Sequence, residues 1–168
     1  NIFNENVDWW KKALIGIDTV IHLAWYVEHG KYLNSFLNLE CSAGTLNLAI
    51  ASANVGVNKF VGIGTCFEYD LSQKYLSTKT PLKSNSIYSA TKVALFNQLK
   101  FYFKLKKMQF NWCRLFYLYG DGESENRLYP YITKMLKDNK EIELQNKDFI
   151  RDYINVKSAT KEILEISL

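Results

Sequence analysis

Several residue types that mark particular classes of protein are scarce in this sequence of 168 residues. Its three cysteines lie far apart and form no Cys-x-x-Cys pair, so we expect reduced thiols in a cytoplasmic protein rather than a disulfide framework. The two histidines complete no metal-ligand spacing, which predicts no metal centre. No apolar run approaches the roughly 18 residues of a membrane span, and the N-terminus has no secretory pattern, so we expect no membrane partner.

Arginine is also rare. The 21 basic residues exceed the 17 acidic ones by four, an excess too small to predict a nucleic-acid partner. Only three of the basic residues are arginines, namely Arg114, Arg127 and Arg151. The planar guanidinium binds carboxylates and phosphates through paired hydrogen bonds, so these three are the first candidates for contacts with an anionic ligand.

The rest of the sequence alternates short apolar runs with amphipathic segments. The runs predict strands at 19–24, 60–64 and 110–118, and the amphipathic segments predict helices at 7–14, 33–54 and 88–107. Because the connections are too long for hairpins, this order favours βαβ units and an α/β fold with a doubly wound parallel sheet. After Gly120 the regular alternation of apolar runs and amphipathic segments is interrupted by a polar segment. We therefore expect one domain over 1–120 and the start of a smaller one over 121–168. In the latter we expect helices at 129–137 and from 158, and strands near 141–144 and 149–154.

A tyrosine and a lysine four residues apart stand at the start of the third predicted helix. On one helix face Tyr88 and Lys92 can reach a common site, and a nearby cation favours the tyrosinate that acts as an acid or base. The spacing alone is weak evidence, because the chain has four such pairs where chance gives about one. Only Tyr88 begins a helix directly after a loop. The alternative is an ordinary surface tyrosine near a helix N-terminus.

The second candidate is the segment Gly-Ile-Gly-Thr-Cys-Phe-Glu-Tyr at 62–69. Open α/β sheets bind ligands beyond the carboxyl ends of their strands, where the Thr65 hydroxyl is expected. Gly64 would let a flat cofactor or substrate pass close to the backbone. The alternative is a simple turn in which Thr65 only bonds its own backbone.

Taken together, six segments resemble an extended short-chain dehydrogenase/reductase of the NAD-dependent epimerase/dehydratase family, which modifies nucleotide sugars. The segments are 22–25 (similar to the family's HLAA strand end), 44–48 (GTxNLL), 65–69 (the hydroxyl-bearing turn), 88–92 (YxxxK), 114–120 (RxFNxYG) and 151–156 (RDxxxV). The resemblance covers nearly the whole chain and implies a Rossmann-type sheet with a smaller substrate-binding lobe.

The resemblance also implies a role for individual residues. Tyr88 would be the catalytic acid/base, Lys92 would lower its pKa and bind the nicotinamide ribose, and Thr65 would hold the substrate oxygen. The implied cofactor is NAD or NADP, with a site formed by Leu23, Ala24, Trp25, Ile63, Gly64, Tyr88, Lys92 and Phe116. The implied substrate is a nucleotide-diphosphate sugar, in contact with Thr65, Cys66, Phe67, Tyr117, Arg127 and Arg151. Arg114 is expected to be structural, because its strand is buried.

Departures from the family pattern narrow the expected reaction. The 4,6-dehydratases carry an Asp-Glu pair where this chain has Cys66 and Phe67, which cannot perform acid/base elimination, so dehydration is not expected. The Gly-Thr-Cys-Phe-Glu-Tyr turn at 64–69 resembles 4-ketoreductases of deoxysugar biosynthesis, which predicts reduction of the C4 keto group of a nucleotide-linked 6-deoxyhexose. A 4-epimerase would share the same triad. A non-catalytic dinucleotide-binding scaffold is the alternative outside enzymes. Cys41 stands where the family often has Asn, and Tyr117 also replaces a usual Asn.

The family's phosphate-binding motif Gly-x-Gly-x-x-Gly does not occur in the sequence. The resemblance therefore implies a domain that is incomplete at both ends and that binds cofactor poorly on its own. It also implies a homodimer, formed through the helices predicted at 33–54 and 88–107.

Overall fold

A computed structural model describes residues 1–144 and 148–168 of the chain. The chain divides into two compact units, 1–114 with 166–168 and 115–165. The elements up to the boundary are α1 (Val7–Ala13), β1 (Thr19–His22), α2 (Leu37–Asn54), β2 (Lys59–Thr65), α3 (Ile87–Leu105) and β3 (Gln109–Leu115). None of the helices in the described part of the chain combines the length and the apolar character that a membrane span requires.

The first unit is built on a three-stranded sheet in the order β1-β2-β3. β1 and β2 run parallel, with Val20 opposite Phe60, and α2 forms the crossover between them. Helix α3 connects β2 to β3, so strands and helices alternate as the apolar pattern predicts. The α/β fold with a parallel Rossmann-type sheet is confirmed.

The core of this unit lies between the sheet and its two long helices. Phe60 of β2 packs with Leu95, Leu99 and Phe103 of α3, and all four are fully buried. Helix α2 contributes its small residues to close packing. A Cβ at Gly44 would lie 2.6 Å from the Cα of Phe3, so only glycine lets the N-terminal segment pass this close to the helix.

The second unit contains β4 (Tyr117–Tyr119), α4 (Leu128–Lys137), β5 (Tyr153–Asn155) and α5 (Val156–Ser167). β4 and β5 form their own parallel two-stranded sheet. The single strand predicted at 110–118 is therefore wrong, because the chain leaves β3 after Leu115 and pairs in a different sheet from Tyr117. The strand predicted near 141–144 is absent, and the one near 149–154 is reduced to β5. The predicted domain boundary at 120/121 remains an interpretation.

Candidate active site

The start of α3 positions Tyr88. The Ser86 side chain accepts a hydrogen bond from the Ser89 backbone N–H, and the Ser89 hydroxyl in turn accepts one from the Ser86 N–H. This reciprocal capping box satisfies backbone donors that a helix N-terminus leaves unpaired. Ser89 is fully buried and supplies half of this cap. Tyr88 lies in the first turn of the capped helix and is buried.

The end of β2 brings Thr65 to the same place. Its side-chain oxygen accepts a hydrogen bond from the Phe67 backbone N–H at 3.3 Å, and the 66–68 segment forms one 3-10 turn. The Thr65 side chain also lies beside the Tyr88 phenol, where it acts to lower the pKa of that phenol. Thr65 therefore combines the local backbone contact with the contact that the predicted site requires.

Lys92 is buried one helical turn after Tyr88. Its Nζ donates a hydrogen bond of 2.7 Å to the Ile63 carbonyl and lies 3.6 Å from the centroid of the Trp25 ring. A cation over an aromatic face is attracted by the ring quadrupole. Burial lowers the pKa of Lys92 to about 7, against the opposing effect of the Glu68 carboxylate, which favours the ammonium.

Burial also governs the proton affinity of Tyr88. It raises the pKa of the phenol to about 12, while the hydrogen bond with Thr65 acts in the opposite direction. We expected Lys92 to lower this pKa. The Lys92 ammonium is instead directed at the Ile63 carbonyl and the Trp25 ring, and desolvation of the phenol dominates.

Two aromatic side chains from the segment after β1 enclose Tyr88. Tyr32 and Trp25 make edge-on contacts with its ring, at centroid separations of 4.9 and 6.5 Å. Asn38 holds both residues in place. Its Oδ1 accepts from Trp25 Nε1 at 2.7 Å, and its Nδ2 donates to the Tyr32 carbonyl at 2.6 Å. Trp25 is among the residues expected from the sequence, whereas Tyr32 and Asn38 are not, because neither carries a periodic or motif signal.

The two glycines of β2 lie against bulky protein side chains. A Cβ at Gly62 would lie 2.6 Å from the Trp112 ring, and a Cβ at Gly64 would overlap both Trp112 and Glu68. Gly64 therefore makes room for these protein side chains, and its contact with a cofactor or substrate stays a prediction. Glu68, which is fully buried here, was missed although Thr-x-x-Glu is a recognisable capping signature.

Arg114 is bound to that buried carboxylate, with 2.6 Å between its Nε and Glu68 Oε2. Its guanidinium also lies 4.4 Å from the centroid of the Phe96 ring. These contacts agree with the structural role expected for Arg114.

The remaining predicted residues occupy less enclosed positions. Leu23 is largely exposed, Ala24 is half-buried, and Cys66 is buried next to Thr65. Phe67, Phe116 and Tyr117 are half-buried.

The two arginines expected on a diphosphate lie within the second unit. Arg127 precedes α4 and pairs with Glu123, with 3.3 Å between its Nε and a carboxylate oxygen. Arg151 is exposed, and its guanidinium lies 4.6 Å from the centroid of the Phe149 ring. In the described residues, no group of three or more His, Cys, Asp and Glu side chains could hold a metal ion.

Solved structures with this fold come from nucleotide-sugar enzymes. A UDP-N-acetylglucosamine 4-epimerase from Methanobrevibacter ruminantium is 20% identical with a TM-score of 0.82, over 97% of this chain and 54% of that chain. A dTDP-glucose 4,6-dehydratase from Streptomyces venezuelae with NAD bound is 18% identical with a TM-score of 0.81, over 100% of this chain and 53% of that chain. A UDP-glucose 4-epimerase from Thermus thermophilus in complex with NAD is 17% identical with a TM-score of 0.78, over 99% and 60%.

The chain thus spans about half the length of the solved structures that it matches. No curated protein sequence matches it significantly. The family model described as the NAD dependent epimerase/dehydratase family matches residues 5–165, nearly the whole chain. With the parallel sheet and the Tyr88–Thr65 pair at its edge, this match establishes that the chain belongs to the NAD-dependent epimerase/dehydratase family.

Proposed function

We propose that the protein containing this chain is an NAD(P)-dependent nucleotide-sugar oxidoreductase that reduces the C4 keto group of a nucleotide-linked 6-deoxyhexose. The observation that carries the proposal is that the Thr65 side chain lies beside the Tyr88 phenol and lowers its pKa, with the buried Lys92 ammonium one helical turn away. The phenol, the Thr65 hydroxyl and the ammonium are three hydrogen-bond donors near the carboxyl end of a parallel strand. Open α/β sheets bind their ligands at this end.

Tyr88 is the proton donor in this reaction. With a pKa raised to about 12, its phenol stays protonated at neutral pH, which suits delivery of a proton to a carbonyl oxygen. Thr65, which lies beside the phenol, holds that oxygen by donating its own hydroxyl proton. The substrate oxygen would then lie between two donors before the C4 carbon is reduced, and this orientation lowers the entropic part of the barrier.

The residues around Lys92 fit a nicotinamide nucleotide. An ammonium has three donors, and one of them goes to Ile63, so the donor chemistry suits ribose hydroxyls. Ile63, Gly64, Leu23, Ala24, Trp25, Tyr88, Lys92 and Phe116 would hold the cofactor. When bound, NADPH or NADH supplies the hydride. The family is NAD-dependent by its description, and two of the solved structures carry NAD.

Two groups of residues would bind the substrate. Thr65, Cys66 and Phe67 would contact the sugar. Arg127 and Arg151 would contact the nucleotide diphosphate, since guanidinium groups bind phosphates through paired hydrogen bonds. Tyr117 would also contact the substrate. We also propose that the protein forms a homodimer.

Dehydration is disfavoured by the contacts of Glu68. Cys66 and Phe67 offer no carboxylic acid or carboxylate for elimination of water, and Glu68 is the next acidic side chain. Both of its oxygens are occupied by protein donors, the Thr65 backbone N–H, the Trp112 indole and the Arg114 guanidinium. A carboxylate bound in this way is not free to exchange protons with a substrate.

The experiment is an assay of the complete protein with dTDP-, UDP-, GDP- and CDP-linked 4-keto-6-deoxyhexoses, followed by NAD(P)H absorbance. A reductase oxidises one NAD(P)H for each sugar reduced. Sugar that changes without net oxidation of cofactor would overturn the reductase assignment.

A 4-epimerase is the second candidate, because the structural neighbours include 4-epimerases at TM-scores of up to 0.82. It would interconvert the corresponding 4-hydroxy sugars with no net change in NAD(P)H. Parallel incubation with UDP-glucose and UDP-N-acetylglucosamine separates the two enzymes, since only the epimerase yields a C4 epimer from them.

A further inference from the structure

A fully buried carboxylate lies directly behind the Tyr88–Thr65 pair. Glu68 has no exposed surface, and its side chain is the acidic end of the Thr-x-x-Glu turn that follows β2. Its Oε1 accepts from the Thr65 backbone N–H at 2.8 Å, and its Oε2 accepts from Arg114 Nε at 2.6 Å. The Trp112 indole N–H lies 3.1 Å from both oxygens.

The energetics of this ion pair indicate that Glu68 fixes the orientation of a neighbouring residue rather than stabilising the fold. Removing a carboxylate and a guanidinium from water is costly, and a buried ion pair is on balance weak evidence for stability. Replacing a buried ion pair by apolar side chains of similar volume is often neutral for stability, so the charges themselves do not account for the presence of Glu68. What apolar side chains could not do is bind the Thr65 backbone N–H and so hold the orientation of that residue.

We propose that Glu68 is a positioning residue that holds the turn after β2 so that the Thr65 hydroxyl meets the Tyr88 phenol. The proposal rests on the proposed function, in which Thr65 and Tyr88 contact the substrate oxygen. Glu68 acts through Thr65 and contacts neither Tyr88 nor Lys92 by a hydrogen bond that the structure shows.

Two strands anchor the carboxylate. Arg114 and Trp112 belong to β3, and the Trp112 ring occupies the space that the glycines of β2 leave free. Arg114 is itself placed by the Phe96 and Tyr69 rings, which lie 4.4 and 5.1 Å from its guanidinium. The position of Thr65 is therefore tied to β3 through one side chain.

The charge of Glu68 acts on both titrating groups of the site. It favours the neutral phenol of Tyr88 and the charged ammonium of Lys92, which raises both pKa values. Loss of this charge is therefore expected to shift the pH dependence of kcat to lower pH.

The test compares two double variants that both remove the ion pair. Glu68→Gln/Arg114→Met keeps an oxygen that can accept from the Thr65 N–H, whereas Glu68→Met/Arg114→Met does not. Neither variant leaves a buried charge without a partner, so both are expected to fold. We expect kcat for the ketosugar to be about 100-fold higher in the Gln-containing variant, because small misplacements of a catalytic group cost this much. KM for NAD(P)H is expected to be similar in the two variants.

Hydrogen exchange of the Thr65 amide gives a readout that does not depend on activity. Exchange of this amide is expected to be faster in Glu68→Met/Arg114→Met than in Glu68→Gln/Arg114→Met. Glu40→Gln, at an exposed site on α2, is the control for loss of a carboxylate elsewhere and should leave kcat unchanged.

The outcomes separate the two proposals. Equal kcat and equal Thr65 exchange in the double variants would overturn the role of Glu68, even if Tyr88→Phe is inactive. Unchanged kcat in Tyr88→Phe would overturn the proposed function and the role of Glu68 with it. A difference in Thr65 exchange would then still show that Glu68 orders the turn. If Glu68→Met/Arg114→Met does not fold, the single variant Glu68→Asp, whose side chain is one methylene shorter, takes its place. Unaltered kcat in Glu68→Asp would equally overturn the proposal.

Discussion

At the scale of single residues, burial sets the proton affinities of the groups around the site. It raises the pKa of Tyr88 and lowers the pKa values of Lys92 and His22. In each case the neutral form is the one that a desolvated environment favours. His22 is the clearest example, since the Thr45 hydroxyl donates to the Cys41 carbonyl and must therefore accept from the His22 ring N–H at 2.8 Å.

The burial of His22 predicts a pH dependence of stability. Burial lowers its pKa to about 4, from 6.5 for an ordinary histidine, and the positive charge of Lys92 acts in the same direction. Between these two pH values the unfolded chain binds a proton that the folded chain does not, so the free energy of unfolding falls as the pH falls. The full loss amounts to about 3 kcal/mol. Urea unfolding at pH 7 and pH 4.5 measures it.

The other histidine supplies the matched control. His29 is exposed, so His29→Gln should keep the same loss of stability in acid, whereas His22→Gln should reduce it. An equal loss in both variants would show that the titration of His22 does not cause it.

At the scale of secondary-structure elements, the helices and strands of the first unit follow from the sequence, and their exact ends follow only in part. The apolar runs gave β1 and β2 because strands buried on both faces require such runs. The break between β3 and β4 is not encoded by hydrophobicity, since Phe116 is as apolar as its neighbours and only tertiary pairing separates the two sheets. The Ser86 cap of α3 could also have been predicted from the sequence, and it places Tyr88 in the first turn of the helix.

Removal of that cap is expected to lower the stability of the protein by a measurable amount. Ser86→Ala removes the acceptor for the Ser89 N–H and one side of the capping box. We expect the free energy of unfolding to fall by about 1 kcal/mol, the usual cost of losing an N-cap side chain. Ser84→Ala, two residues earlier at an exposed position, is the control. Equal unfolding midpoints in urea for the two variants would contradict the assignment.

At the scale of the whole molecule, the order of six weak motifs carried more information than any one of them. It led to the family that the family model then matched over residues 5–165. The proximity of Tyr88, Thr65 and Lys92 followed from that resemblance, whereas Glu68, Tyr32 and Asn38 did not. Tyr32 and Asn38 act through contacts with segments distant in the sequence, which a single sequence does not display. Glu68 could have been found from the Thr-x-x-Glu capping signature, but its burial and its contacts with β3 could not.

The central claim is that Tyr88 protonates the substrate oxygen, and kcat of the complete protein with a nucleotide-linked 4-keto-6-deoxyhexose tests it most directly. Tyr88→Phe removes only the phenol oxygen, and we expect kcat to fall by about 10²- to 10⁴-fold, the usual contribution of a general acid. Tyr75→Phe, in another Tyr-x-x-x-Lys pair but 80% exposed, should leave kcat unchanged. A Tyr88→Phe variant as active as Tyr75→Phe would contradict the account.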